Sequence, residues 1–240
     1  MSAPRDLRSN AGPTPITLIG VVVPVLDEAL LLPRALESLS AAVTRFALQS
    51  DCLVRIVVVD DGSTDSSADI AQGWAGVELV REAHSGVGTA RAAGAAHILA
   101  GANPAETWIA TTDGDSAVPS DWLSVHYLAA ASGAEVLLGQ ILPDPDDLSP
   151  DQLRRWRAAN PVTREPVYIH GANLGVRGDA YLSCGGFSAA DSDEDVLIVE
   201  ALRRQGRRIV GTDRAPVLTS ARIRGRAPDG FARYVREELA

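Results

Sequence analysis

The stretch TTDGDS, residues 111–116, sets Asp113 and Asp115 on either side of a single glycine. Along an extended backbone, residues two apart face the same side, so the pair can present two carboxylates to one ligand. Such a pair suits a divalent cation, which takes hard oxygen donors. It equally suits a solvated turn, because Asp-Gly is a common turn dipeptide. Six residues leave both readings open. Three more polar groups carry side chains capable of chemistry: LDE at 26–28, DDGSTD at 60–65 and HSGVG at 84–88. A further acidic group, Asp191-Ser192-Asp193-Glu194-Asp195, comes late in the chain. Acids there, before an amphipathic helical pattern, suit the positive end of a helix.

The elements that must position these groups follow from hydrophobic patterning. ITLIGVVVPV, LVRIVVVD, VELVREA, TWIATTD and AEVLLGQIL are short apolar, β-branched runs that read as buried strands. Between them lie segments with helical spacing: DEALLLPRALESLSAAVTRFA with Pro33 in its first turn, SSADIAQGWA, TARAAGAAHILAGA, and PSDWLSVHYLAAAS with Ser120 as its expected cap. Strands alternating with helices imply βαβ units and a mostly parallel sheet covered on both faces. Ligands of such sheets sit at the carboxyl ends of the strands. The first four polar groups all fall there. After PDPDDLSPDQ (143–152) a helix DQLRRWRAAN is expected, followed by a mixed segment.

Composition narrows the chemistry. The chain has 240 residues and a formal net charge of −9, which argues against a nucleic-acid binder. All 22 basic residues are arginine, so a Walker-type lysine, a Schiff-base lysine and a lysine base are excluded. Cys52 and Cys184 form neither a disulfide framework nor a metal pattern. No apolar run reaches the ~18 residues of a membrane span. The polar residues 1–15 read as a disordered arm without a signal-peptide core, and a cytoplasmic location is expected.

In order along the chain, VVVPVLDEALLLPRALESL, VVVDDGSTDSSADIA, TTDGDSAVPSDWL, GANLGVRGDAYLSCGGF and DEDVLIVEALRRQGRRI resemble the blocks of the family 2 nucleotide-sugar glycosyltransferases, from about Ile16 to Val217. The resemblance implies a GT-A-type, Rossmann-like α/β fold, mostly parallel, with a mixed acceptor-side C-terminal half. Residues 16–240 are then a single domain: 16–142 the nucleotide-sugar half, 143–220 the acceptor side, and 221–240 a basic loop and helix. It implies an inverting, metal-dependent transferase of hexosyltransferase type, using Mn2+ or Mg2+ and a uridine or guanosine diphosphate sugar. The acceptor stays unknown, and a homodimer stays open.

The resemblance also suggests roles. Asp113 and Asp115 would hold the cation, with Asp113 also near the donor. Pro24, Val25 and Glu28 would line the nucleoside pocket; the residues alone allow Asp27 to be a helix cap instead. Asp60 is chosen over Asp61 for base or ribose. Gly88 would permit close approach to the diphosphate and Arg91 would lie near it, with a structural salt bridge as the other reading. Asp195 would be the general base with Glu194 beside it, or Asp193 if the register slips by two. Gly171, Ala172, Asn173, Gly185 and Gly186 would form the acceptor side. Ser116 stands where many members of the family have a further Asp, and Thr219 and Ser220 where many have a histidine ligand. Arg222, Arg224 and Arg226 could close on the diphosphate, since guanidinium groups suit phosphate oxygens; a solvated basic loop is the alternative. Competing classes are a non-catalytic nucleotide-sugar-binding module and a sugar nucleotidyltransferase, whose Gly-rich N-terminal loop and lysine are missing. A Rossmann oxidoreductase is disfavoured by the missing first-strand fingerprint.

Overall fold

Strand β1 (Leu18–Val25) is apolar on both faces because both are covered. Val21, Val23 and Val25 share a core with Leu32, Leu36 and Leu39 of helix α1 (Leu32–Ala47). Val22 belongs to a second core with Ala90, Ala95 and Ile98 of α3 (Val87–Leu99), so a continuous β-branched run is what this strand needs. These elements belong to a computed structural model that describes residues 13–159, 169–189 and 193–222. The proposed arm through residue 12, Asp191, Arg224, Arg226 and the expected C-terminal helix lie outside the described residues.

β1 pairs in parallel with β2 (Leu53–Asp60) and with β4 (Thr107–Thr111), and β2 pairs in parallel with β3 (Val77–Arg81). Helices α1, α2 (Ser67–Gly73) and α3 lie in sequence between these strands. Pro33 does sit in the first turn of α1, where its missing N–H costs nothing. Helix α4 (Trp122–Ala131) has Asp121 rather than Ser120 at its cap position, and that side chain makes no capping bond. The first helical N–H, of Trp122, is already taken by the Pro119 carbonyl at 3.0 Å.

Register brings the polar groups together. Val25 is level with Asp60, Asp60 with Arg81, and Val22 with Thr111, so the loops after β1, β2, β3 and β4 emerge on one rim.

Past β4 the sheet becomes mixed. Next to β4 runs β7 (Leu174–Arg177), antiparallel; then β6 (Val136–Pro143), antiparallel to β7; then β8 (Ile209–Thr219), parallel to β6; and last β5 (Ser116–Ala117), antiparallel to β8. β6 is the strand expected from AEVLLGQIL. Only four residues separate β4 from β5, yet three strands stand between them in the sheet. The far edge must therefore curl back to the rim where Asp113 and Asp115 lie. Helices α5 (Pro150–Ala159), α6 (Gly178–Ser183) and α7 (Glu194–Arg204) complete the described α-helices. No helix among the described residues is long and apolar enough to cross a membrane.

Candidate active site

The loops after β1 and β2 are laced together by hydrogen bonds in both directions. Asp27 Oδ1 accepts from Thr64 N at 2.7 Å, Thr64 Oγ1 at 3.1 Å and Asp65 N at 3.2 Å. In return Ser63 Oγ accepts from Asp27 N, Asp65 Oδ2 from Ala29 N, and Ser67 Oγ from Glu28 N at 2.7 Å. Asp27 holds a left-handed backbone (φ 50°) to make this exchange, and it does not cap α1. The bond from the Thr64 amide is the main reason its carboxyl lies below the usual range.

Asp60 and Asp61 are both buried but differently engaged. Asp61 fastens the loop after β3, accepting from Ser85 N at 2.6 Å and Gly86 N at 2.9 Å. The Asp60 carboxylate accepts from Ser63 N at 3.3 Å. Gly88 is buried in the first turn of α3.

Gly114 explains why the pair after β4 has a glycine at its centre. A Cβ there would stand 2.9 Å from Val25 Cγ2 and 3.4 Å from both Glu28 Cγ and the Pro24 carbonyl oxygen. The loop therefore presses on the end of β1, and this contact brings Asp113 and Asp115 beside Glu28. Each of the two aspartates faces an arginine. Arg91 Nη2 donates to Asp113 Oδ1 at 2.6 Å. Arg222 Nη2 lies 3.0 Å from Asp115 Oδ2, and the same guanidinium grips both oxygens of the buried Glu28, Nη1 at 2.8 Å from Oε2. Burial, then the negative charge of Asp113, pushes the Asp115 carboxyl up to about 7 despite Arg222 beside it. Ser116 Oγ bonds Thr219 Oγ1 at 2.9 Å.

The residues expected on the acceptor side meet those expected on the donor side through Arg91, which is 4% exposed. Its Nη1 pairs with Glu194, in the first turn of α7. Next to Glu194, Asp195 Oδ2 accepts from Gly171 N at 2.5 Å and its Oδ1 from Val196 N at 2.8 Å. The Gly171 carbonyl accepts from Thr111 Oγ1 at 2.5 Å. A Cβ on Gly171 would lie 2.5 Å from the Arg91 guanidinium, so only glycine allows this stacking. Asp193, the alternative base, is the left-handed cap residue of α7 (φ 62°).

Ala172 and Asn173 are buried beside Gly171. The Asn173 side chain is taken up by Trp122 Nε1 at 2.9 Å and by the carbonyls of Gln140 and Ala215. Gly186 packs on the Tyr181 ring, apart from these contacts. His170 precedes Gly171; burial lowers its pKa, against the opposing charges of Asp195 and Asp113.

The donor set fits a divalent cation of the magnesium type. Asp113 and Asp115 offer oxygen only, and at Asp115 burial and the Asp113 charge outweigh the Arg222 guanidinium, so the pair still favours added positive charge. Magnesium is commonly held by one or two carboxylates together with substrate phosphates. Among the described residues no group of three His, Cys, Asp or Glu gathers to hold a metal without such help.

Three relationships escape the sequence reading: Arg222 with Glu28, Arg91 with Glu194, and Gly171 with Asp195. The first spans 194 positions, and no local pattern signals it.

The sequence model described as glycosyl transferase family 2 matches residues 20–194. The undecaprenyl-phosphate 4-deoxy-4-formamido-L-arabinose transferase of Pseudomonas aeruginosa (strain LESB58) is 35% identical over 151 residues, 60% of this chain and 40% of that protein. The chain thus spans well under half the length of the curated relatives it matches. Among solved structures, S. aureus TarS 1–349 is similar with a TM-score of 0.63 at 18% identity, over 85% of this chain and 60% of that one. The mannosyltransferase PcManGT from Pyrobaculum calidifontis, in complex with GDP-Man and Mn2+, gives 0.64 at 21% identity, over 89% and 60%. At these identities the likeness establishes the fold, an α/β arrangement of the GT-A type. With its family model covering the four strand-end loops, Asp113 and Asp115, and running as far as Glu194, this chain belongs to glycosyl transferase family 2.

Proposed function

We infer that this chain transfers a sugar from a nucleoside diphosphate sugar to an acceptor hydroxyl in a single, inverting displacement. The observation that carries the reading is the meeting, through Arg91 and Gly171, of Asp113 after β4 with Asp195 on α7. An inverting transferase needs those two functions side by side: one group under the departing diphosphate, one on the attacking hydroxyl.

The nucleoside lies against the laced loops after β1 and β2, with Asp60 offering its carboxylate to base or ribose donors. Asp113 and Asp115 would hold Mn2+ or Mg2+, which when bound offsets the charge that grows on the leaving diphosphate. PcManGT, solved with a nucleotide sugar and Mn2+ on the same fold, supports this pairing. Asp195 takes the acceptor proton, held for the purpose by the Gly171 amide and its own helix turn. The acceptor oxygen bonds to the anomeric carbon as the bond to the diphosphate oxygen breaks, and that electron pair leaves with the diphosphate. Glu194 does not face the substrate in this scheme; it anchors the turn through Arg91.

Thermal denaturation with a panel of uridine, guanosine and thymidine diphosphate sugars, with and without Mn2+, tests the donor site. At least one sugar nucleotide should raise the melting temperature in a Mn2+-dependent way, and Asp115→Asn should remove the Mn2+ dependence. A flat response across the panel would remove the donor site.

A further inference from the structure

Two arginines occupy the pair after β4, and they are not equivalent. Arg91 is walled in, its side chain 5% exposed, stacked under Gly171 and tied to Glu194 as well as Asp113. Arg222 is open on one side, its side chain 28% exposed against 8% for Glu28 and 14% for Asp115. Its backbone approach is fixed: Asp147 Oδ2 accepts from Ser220 Oγ at 2.9 Å and from Ala221 N at 2.8 Å. From this anchor the guanidinium reaches across to Glu28 and Asp115 and stands where Asp115 would meet a metal.

A guanidinium 3.0 Å from Asp115 Oδ2 neutralises that carboxylate and repels any second cation brought to it. A divalent cation entering alone at Asp115 would have to displace Arg222 from that oxygen and would stand beside a guanidinium still held on Glu28, two positive charges with no added anion. A diphosphate changes this, because its oxygens accept a guanidinium fork as well as a carboxylate does. We propose that Arg222 sets the order of ligand capture: it guards Asp115 in the free protein, and the cation enters together with a diphosphate that draws the guanidinium away. This rests on the donor-site reading above. It adds a role for Arg222 as a placeholder cation, one that passes from two carboxylates to phosphate oxygens.

Mn2+ titration of the full chain at pH 8, followed by the electron paramagnetic resonance of free Mn2+, reads this directly. Wild type should bind Mn2+ weakly alone, and UDP or GDP should tighten it at least about tenfold. Arg222→Gln should tighten Mn2+ alone by about tenfold or more and shrink the gain from nucleotide. Because Arg222→Gln leaves the buried Glu28 carboxylate without its guanidinium, the Glu28→Gln/Arg222→Gln double variant serves as the second arm and should show the same tightening. Asp115→Asn should lose the site in each background. If Asp115→Asn abolishes Mn2+ binding but removing Arg222 leaves the affinity of Mn2+ alone unchanged or weaker, the ordering role is overturned while the donor site stands. Tight binding of Mn2+ by wild type with no gain from nucleotide would overturn the ordering role in the same way. If neither nucleotide promotes Mn2+ binding and Asp115→Asn changes nothing, the donor site itself fails and the ordering role with it.

Discussion

The Arg91 guanidinium lies 2.6 Å from Asp113 Oδ1 and pairs at its other end with Glu194, so one buried cation ties the loop after β4 to the start of α7. Its Nε has no hydrogen-bond partner among the described residues, which leaves the two carboxylates and the stacked Gly171 to hold it. Stripping one partner from a buried ion pair costs about 3–5 kcal/mol. Arg91→Met should lower the unfolding free energy by about that much in urea denaturation. Arg91→Met/Glu194→Gln should recover part of it by removing a stranded charge. A loss under about 1 kcal/mol would mean that the pair is solvated.

Gly171→Ala places a methyl group 2.5 Å from the guanidinium carbon of Arg91, which is buried and tied at both ends to Asp113 and Glu194. Overpacking of this kind typically costs about 1–3 kcal/mol. The displaced Gly171 amide would also loosen its bond to Asp195. Transfer should fall much more than donor-dependent thermal stabilisation does, and a parallel fall in both would argue against a link to the base.

Asp195→Asn keeps the shape of the turn but removes the basic oxygen. Donor-dependent stabilisation should persist, while release of nucleoside diphosphate in the presence of acceptor should drop by about 10²–10⁴, the usual worth of a positioned base. Retained turnover would move the base to another residue, with Asp193 the first to try.

His126 makes a prediction remote from the site. Burial drives its pKa down to about 4, partly offset by Asn173, and the neutral ring accepts from Trp108 Nε1 at Nδ1, 3.0 Å away. The unfolded chain takes up this proton below about 6.5, whereas the folded chain resists until about 4. Stability is therefore complete above 6.5 and is lost as the pH falls through that window, by about 3 kcal/mol in all at 1.36 kcal/mol per unit. His126→Gln, which keeps an acceptor for Trp108, should flatten this part of the pH profile relative to wild type in urea denaturation. Identical slopes would show that the ring is not held neutral.

What could be read from sequence was what is local. The runs that became β1, β2, β3 and β4 are short, apolar and bounded by turns, and their register follows from parallel pairing, so the rim and its acids were legible together. β8 was not. Gly211, Asp213 and Pro216 break its pattern, and a strand tolerates them because β5 covers only Leu218 and Thr219 on that side. β5 is two residues long, too short for any pattern to reveal. The position of Arg222 beside Glu28 depends on how far the sheet curls, which is a property of the whole assembly of strands. Ser116 and Thr219 each stand where the resemblance marks a metal ligand, 103 positions apart. Their being hydrogen-bonded neighbours required the fold.

That hydrogen bond bears on any attempt to divide the chain. The residues expected to contact donor, apart from Arg222, Arg224 and Arg226, lie before residue 143, which makes the first half look separable as a nucleotide-sugar module. Yet the loop carrying Asp113 and Asp115 continues directly into β5, and β5 is paired to Leu218 and Thr219 at the end of β8. A fragment stopped after β6 would keep both aspartates and lose what fixes the exit of their loop, together with Arg91's partner Glu194 and the Gly171 that covers it. The proposed cation site would thus be a seam between β1 and β8, complete only when β8 has closed on the loop after β4.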